Sequence, residues 1–162
     1  MAKTIVVNPL DPKSITSAIK EVRRYKTWVL AKEAELRQRL AMVGATVASI
    51  QFSRAIYSGT NDVSVRVDNT GSVAVIYAEG ESVAFIEFGS GATYGYGHPQ
   101  AGEFGVGPGT YPDGKGHWDD PNGWYYAHGQ HTFGNPPAMA MYAAVQEMTE
   151  QLTAIAKEVF GS

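Results

Sequence analysis

Histidine and aspartate side chains in the second half of the chain are the residues best suited to chemistry. The four histidines of the 162-residue sequence all fall between residues 98 and 131. One interpretation is a metal-dependent hydrolase, with a metal ion held by imidazole and carboxylate ligands from His117, Asp119, His128 and His131. No pair of these has the i, i+4 spacing that orients two ligands on one helix face, and glycines separate them. We therefore favour ordinary polar loop residues over a metal site.

Other catalytic and cofactor motifs are missing from the sequence. Without cysteine, thiolate catalysis, disulfides and cysteine-ligated metal centres are excluded. The glycine-rich segments 89–93 and 105–110 lack the helix that follows a phosphate-binding loop. No Gly-x-Ser-x-Gly nucleophile turn occurs. We expect a protein that is not an enzyme and carries no cofactor.

The same half of the chain is rich in glycine and aromatic residues. Thirteen of the 18 glycines lie between Gly89 and Gly134, together with half of the 18 aromatic residues. Ordering so much glycine costs backbone entropy and requires a compensating surface, either the domain's own core or a neighbouring subunit. Because Trp and Tyr are enriched in interfaces, the candidate anchors are Trp118, Trp124 and Tyr125. The same aromatics would also suit a stacking platform for carbohydrate or peptide.

Helical periodicity marks both ends of the chain. Apolar residues recur at steps of three, four or seven from Ile15 to Ile50, which predicts a long amphipathic helix. The helix is capped either by Asp11, with Pro12 as its first residue, or by Ser14. Gly44 is a candidate break in it. A second helix is predicted from Pro136 to Phe160, with a buried stripe formed by Met141, Ala144, Val145, Met148, Leu152, Ile155 and Val159.

The elements between the helices are predicted to be strands. Alternating side chains indicate an antiparallel hairpin of Asn61–Asp68 and Ser72–Ala78, and Gly123–Ala127 is a candidate strand returning to that sheet. Ser82–Phe88 is ambiguous between helix and strand. The fold class is therefore α+β, with a long amino-terminal helix and a carboxy-terminal helix packed on a small antiparallel sheet. We expect a single domain over residues 1–162, with an amino-terminal arm at 1–12 and a long loop at 89–122. Within the arm, Lys3–Val7 is a short strand or an ordered arm.

Charge is distributed unevenly along the chain. The net charge is −3, but residues 1–54 carry +6 and the remainder carries −9. This pattern is typical of a solvated basic helix, or of complementary surfaces that steer identical subunits together. The basic residues alternate with glutamate, so sequence-specific DNA contacts are not expected. The sequence offers no signal-peptide core or membrane span, so we expect a soluble protein that is not exported.

Two motifs resemble those of a known family. The segment Ile86–Gly91, IEFGSG, resembles the (V/I)-E-(F/Y)-G-(T/S)-G signature of the tail-completion or minor tail proteins of long-tailed bacteriophages. In that family the signature follows a helix and a β-hairpin, and precedes a variable Gly/Trp/Tyr loop and a proline-rich start of the last helix. Here Gly123–Tyr126 and Asn135–Pro137 are similar to that arrangement. Met139 stands where Phe or Tyr is common, and the loop is longer.

The resemblance implies a structural role in the virion. It implies a ring-shaped oligomer, a hexamer, at the head–tail joint or neck, assembled in the host cytoplasm with other neck and tail proteins and with DNA passing nearby. Within it, Glu87, Phe88 and Gly89 would fix the root of the long loop, Gly89 in a backbone conformation unfavourable to other residues. The predicted interface residues are Glu87, Phe88, Gly89, Trp118, Trp124, Tyr125, Pro136, Pro137, Met139 and Met141.

Limited proteolysis of the free protein tests the sequence-based expectation for the long loop. Because glycine-rich backbone is ordered only against a compensating surface, we predict cleavage between Gly95 and Gly116. Mass spectrometry of the fragments locates the cut. A fully resistant segment would indicate that the loop packs on its own domain.

Overall fold

The structure, a computed structural model, describes residues 4–91, 94, 97–105, 120–126 and 128–161. Along this part of the chain the elements are α1 (Pro12–Ser53), β1 (Ser64–Asp68), β2 (Val75–Glu79), α2 (Val83–Phe88), β3 (Trp124–Tyr125), β4 (His131–Thr132) and α3 (Ala140–Gly161). The predicted α+β class is confirmed, and the long first and last helices pack against each other. The described strands form two small antiparallel sheets, β1–β2 and β3–β4, where the sequence predicted one.

Helix α1 begins at Pro12 because Asp11 caps it. The Asp11 carboxylate accepts a hydrogen bond from the Lys13 N–H at 2.9 Å, and Pro12 occupies a first-turn position that needs no donor. Ser14, the alternative start, instead accepts a hydrogen bond from the Asn8 N–H. Residues 4–8, ahead of the cap, form an irregular arm and no strand.

Gly44 lies where three elements converge, and α1 passes through it without a break. A Cβ atom at this position would lie 2.6 Å from Cδ1 of Ile76 on β2 and 2.7 Å from Sδ of Met148 on α3. The glycine therefore allows the hairpin and α3 to approach the backbone of α1. The expected break is wrong because this glycine serves close packing.

The buried row of α1 consists mainly of small residues: Ala41, Gly44, Ala48 and Phe52. The large apolar residues of the predicted stripe lie beside that row, and Ile50 is 42% exposed. The main core cluster is formed by Ala48, Phe52, Ile86, Ala140 and Ala144. A periodicity search that gives most weight to large apolar residues misses a buried row of this kind, because alanine and glycine are only weakly hydrophobic.

The β1–β2 hairpin has the predicted antiparallel pairing, with Val65 opposite Ala78 and Val67 opposite Ile76. Both strands begin later along the chain than predicted, at Ser64 and at Val75. The inward valines pack beside the core, so the alternation identified the buried face correctly.

The residues that were predicted to extend the strands instead form hydrogen bonds in the turns at the two ends of the hairpin. The Asp62 carboxylate accepts hydrogen bonds from the N–H groups of Glu81 at 2.7 Å and Ser82 at 3.0 Å. These bonds hold the pKa of Asp62 below its ordinary value, because they favour the charged form. At the other end of the hairpin, Arg37 donates a hydrogen bond to the carbonyl of Ser72 at 2.8 Å.

The two segments whose prediction was ambiguous or provisional form a short helix and a short strand. Most of Ser82–Phe88 forms the short helix α2, with Ser82 and Gly89 as the cap residues on either side of it. In the predicted strand Gly123–Ala127, the described residues form only β3, which pairs with β4 through Trp124 opposite Thr132 and does not join β1–β2. The expected return to the first sheet is therefore wrong, because the nearby residues after the turn supply the hydrogen-bonding partner.

Helix α3 begins at Ala140, later than the predicted Pro136. Its buried residues are Ala140, Ala144, Ile155 and Val159. Two members of the predicted stripe, Val145 and Leu152, are 52% and 44% exposed, so their assignment to the core is wrong.

Helix α3 runs antiparallel to α1. The Phe160 ring meets the edge of the Trp28 ring at 6.0 Å, and Arg39 pairs with Glu158 at 3.2 Å. Because Phe160 is close to the last residue of α3, the first turns of α1 extend past this contact. Within the described ranges, none of the helices combines the length and apolar character needed to cross a bilayer.

Candidate functional site

The two segments that carry the family resemblance lie side by side. Ser90 and Asn135 form an antiparallel bridge in which each N–H donates to the other carbonyl at 3.0 Å. Their side chains also join, because the Ser90 hydroxyl donates to Oδ1 of Asn135 at 2.5 Å. Both residues are buried. We call this paired unit, residues 85–91 with 134–142, the clasp.

The amide of Asn135 completes the pairing. Its Nδ2 group donates to the carbonyl of Phe85 at 2.9 Å and to that of Pro136 at 3.3 Å. These partner carbonyls fix the orientation of the amide, with Oδ1 directed at Ser90. Both ends of a fully buried polar side chain are therefore satisfied, which is the condition for burying it without a large desolvation cost.

Glu87 places a buried carboxylate at the start of α3. Its oxygens accept hydrogen bonds from the N–H of Met141, at 3.0 and 3.1 Å, and from that of Tyr142 at 3.1 Å. Met139 is the cap residue, since its carbonyl accepts the first helical hydrogen bond from Ala143, but its thioether is a poor acceptor. Glu87 therefore supplies the missing cap from another helix, and its charge faces the positive end of the helix dipole.

His98 is the second partner of Glu87. It is 5% exposed, and its Nε2 lies 3.3 Å from Oε1 of Glu87. The Gln100 N–H donates to Nδ1 at 3.1 Å, so in the neutral tautomer Nε2 carries the proton and donates to Glu87. The rings of Phe88 and Tyr142 flank the imidazole at 4.5 and 5.7 Å. Sequence analysis did not single out this histidine, because no periodic pattern links its position to that of Glu87.

Two glycines allow the clasp to close. Gly89 has φ +77°, and a Cβ there would lie 2.8 Å from the backbone nitrogen of Pro137. Gly91 has φ +89°, and a Cβ there would lie 2.2 Å from the carbonyl oxygen of Phe133. Glycine is required at both positions by the left-handed backbone and by the close approach. The expectation of an unusual backbone at Gly89 is confirmed.

The predicted interface residues fall into two groups. One group belongs to the clasp, where two members are buried and five are partly buried: Glu87, Phe88, Gly89, Pro136, Pro137, Met139 and Met141. Trp124 and Tyr125 lie apart from it on β3, and Trp118 lies outside the described residues. Clasp residues would therefore shape an interface mainly through the elements that they hold in place. Their assignment to an interface stays a prediction.

The β3–β4 hairpin presents a row of exposed aromatic rings. Tyr125 is 72% and Phe133 59% exposed, and the His131 ring lies between them at 4.6 and 4.8 Å. Tyr126 instead packs edge-on against Tyr57 at 6.2 Å, and burial raises its pKa to about 12. We call Tyr125, His131 and Phe133 the aromatic row. Sequence analysis did not single out Phe133, because it lies outside the predicted strand.

The histidines proposed as metal ligands have other contacts. His131 donates from Nε2 to the carbonyl of Asn122 at 3.0 Å, and His128 stacks on Tyr126 at 5.4 Å. Among the residues that the structure describes, no cluster of three or more metal-ligating side chains occurs. His117 and Asp119 lie outside that part of the chain, so the four-residue set stays a hypothesis.

Comparisons of this chain with protein-family models, curated proteins and solved structures give no match. The family resemblance therefore rests on the two motifs and on the order of the elements around them.

Replacing Glu87 with glutamine should lower the free energy of unfolding by about 1.5–3 kcal/mol, the range for hydrogen bonds to a charged group. Glutamine keeps the length of the side chain and one acceptor oxygen, but it replaces the second oxygen, which accepts from the Met141 N–H, with an NH2 group and removes the negative charge at the start of α3. Urea unfolding followed by circular dichroism measures the change. Glu150→Gln, at an exposed position of α3, is the matched control and should stay within about 0.5 kcal/mol. Equal losses in the two variants would contradict the cap.

Alanine at Gly91 and at Gly129 separates backbone strain from close packing. The two φ angles are similar, +89° and +84°, so alanine is strained at either position by about 1–2 kcal/mol. At Gly91 the Cβ would also meet the Phe133 carbonyl, whereas at Gly129 no described atom lies within 4 Å. Gly91→Ala should therefore unfold at a lower urea concentration than Gly129→Ala. Coincident unfolding curves would argue against the clasp geometry.

Proposed function

We propose that the chain is a structural virion protein of a long-tailed bacteriophage. It forms a ring, a hexamer, at the head–tail interface or at the head-proximal end of the tail. Its work is assembly rather than catalysis. Its partners are further copies of itself and other neck and tail proteins, with DNA passing nearby and no sequence-specific contact.

The clasp is the observation that supports this proposal most. The two motifs that resemble the phage family are 45 positions apart at Ser90 and Asn135, yet they bind each other. The residues that define the first motif have physical roles there, because Glu87 caps α3 and Gly89 permits the close approach. Residues of a chance match to a signature have no reason to contact one another. Their mutual contacts therefore favour a shared structural origin.

The aromatic row fits a role in assembly. Its three rings are exposed on a hairpin that Tyr126 anchors to Tyr57 on the inner side. Rigid aromatic side chains bury large areas at little entropic cost, and they are enriched at the centres of interfaces. The hairpin lies directly between the long loop and the clasp in the sequence.

The same aromatic row favours a second candidate, an aromatic platform that binds carbohydrate or peptide. Stacking on Tyr125 and Phe133 would serve either function. A glycan array with purified protein separates the two, since specific hits that are lost in Tyr125→Ser would favour the platform.

Analysis of phage particles tests the proposed function directly. Particles purified from the bacterial host that carries this gene should contain the chain in a fixed ratio to the major tail protein, by quantitative mass spectrometry. Deleting the gene should leave filled heads and separate tails, because the ring that joins them is missing. Expression of the wild-type chain in trans should restore joined particles.

Variants of the aromatic row supply the matched comparison. A Tyr125→Ser, Phe133→Ser double variant should restore few joined particles, whereas Ile56→Ser, at a 73% exposed site in another loop, should restore them fully. Absence of the chain from purified particles, or normal particles after the deletion, would overturn the proposal.

A further inference from the structure

The amino-terminal end of α1 extends beyond the described end of α3. Trp28 meets Phe160, at the far end of α3, and α1 continues for 16 more residues toward its start at Pro12. At 1.5 Å per residue these residues span about 24 Å. We call residues 12–27 of α1 the projecting segment.

The projecting segment carries an apolar face that the described residues leave exposed. Ile15, Ile19, Val22 and Tyr25 are 38%, 48%, 56% and 54% exposed, with the i, i+4, i+7 spacing of one helix face. Residues 4–6 of the arm lie beside the first turns of α1, and these side chains remain exposed with the arm in place. Large apolar side chains at this spacing are the pattern by which a helix docks into an apolar groove.

The body of the subunit has a groove of the matching character. It lies between α1, the β1–β2 hairpin and α3, has a volume of about 470 Å³, and has mainly apolar walls that include Leu40, Val75, Ile76, Met141, Val145 and Met148. We call it the body groove. Val145 at its rim is 52% exposed, although the periodicity of α3 predicted it to be buried. The exposure of Val145 is explained if a helix of another copy covers it.

The overall charges of two parts of the chain favour a second copy as the occupant of the groove, and the charged side chain in the groove wall, Arg37, is already paired with Glu33. The projecting segment has five basic residues and one acidic residue, a net +4, so the rest of the chain carries −7 within the total of −3. Opposite charges of this size on two parts of one sequence favour contact between copies of the chain. A copy cannot fill its own groove, since Ile19 and Leu40 lie on one straight helix, 21 residues or about 32 Å apart.

We propose that the projecting segment of one copy lies in the body groove of the next copy. Ile15, Ile19 and Val22 insert toward Val145 and Met148, and the basic side chains around them face the acidic body. The contact is head-to-tail, because each copy offers one segment and one groove, so repetition gives a closed ring or an open filament. This inference adds a specific contact between subunits to the ring proposed above. It depends on that proposal only for the closure of the ring at a fixed number of copies.

The absence of cysteine from the chain permits a direct test by disulfide cross-linking. Two single variants, Ile19→Cys and Val145→Cys, are mixed at high concentration under mild oxidation and separated on a non-reducing gel. A disulfide requires Cα atoms within about 7 Å, so cross-linking reports the proposed contact and not mere proximity. We expect several-fold more mixed dimer than with the matched pair Ile19→Cys and Ile56→Cys. The yield should fall as salt screens the charges.

The combined variant, with Ile19→Cys and Val145→Cys in one chain, measures the geometry of the assembly. A head-to-tail contact predicts a ladder of covalent multimers, ending in a closed species if the ring forms. Mixed-dimer yields no higher than those of the Ile56→Cys control would overturn the inference. Preferential pairing of Ile19→Cys with itself would also overturn it, because that result requires a two-fold contact.

The outcome does not depend on the chain's place in a virion. Cross-linking uses purified protein, so it can succeed when the chain is absent from phage particles, and it can fail when the chain is present. All three substituted sites are exposed, so the variants are expected to fold, and circular dichroism verifies this before oxidation.

Discussion

The structure depends on a buried carboxylate that caps a helix it does not belong to. Helix α3 has a methionine in the cap position, and its first free N–H groups are satisfied by Glu87 of α2. Because a carboxylate also favours the positive end of the helix dipole, this contact fixes where α3 begins and how it meets α2. The Ser90–Asn135 bridge and the close approach at Gly89 then follow, since both lie within a few residues of the cap.

The subunit has a fixed part, which the clasp holds together, and two surfaces that are exposed. Buried residues hold α2, α3 and the start of the long loop together, while the aromatic row and the projecting segment face outward. Neither outward surface requires a change in the core to be covered by a partner. This division is suited to a subunit that folds alone and then associates, because the interface adds to a domain that is already formed.

Sequence reasoning recovered the elements whose pattern is local. The hairpin alternation, the α+β order and a capped start of α1 at either Asp11 or Ser14 were visible, because each depends on neighbours in the chain. The buried row of Ala41, Gly44 and Ala48 was not visible, since small residues indicate close packing only when another element is known to approach them. The late start of α3 and the role of His98 were missed for the same reason: both depend on Glu87, which is distant in sequence.

Hydrogen exchange at single amides tests the central claim most directly. First-turn amides of a helix normally exchange fast because they lack partners within the helix. If Glu87 caps α3, the Met141 and Tyr142 amides should exchange as slowly as the Ala48 and Phe52 amides in the core of α1, through global unfolding. Exchange of those two amides at the rate of the exposed turn around Gly129 would show that the cap, and the account of the clasp based on it, is wrong.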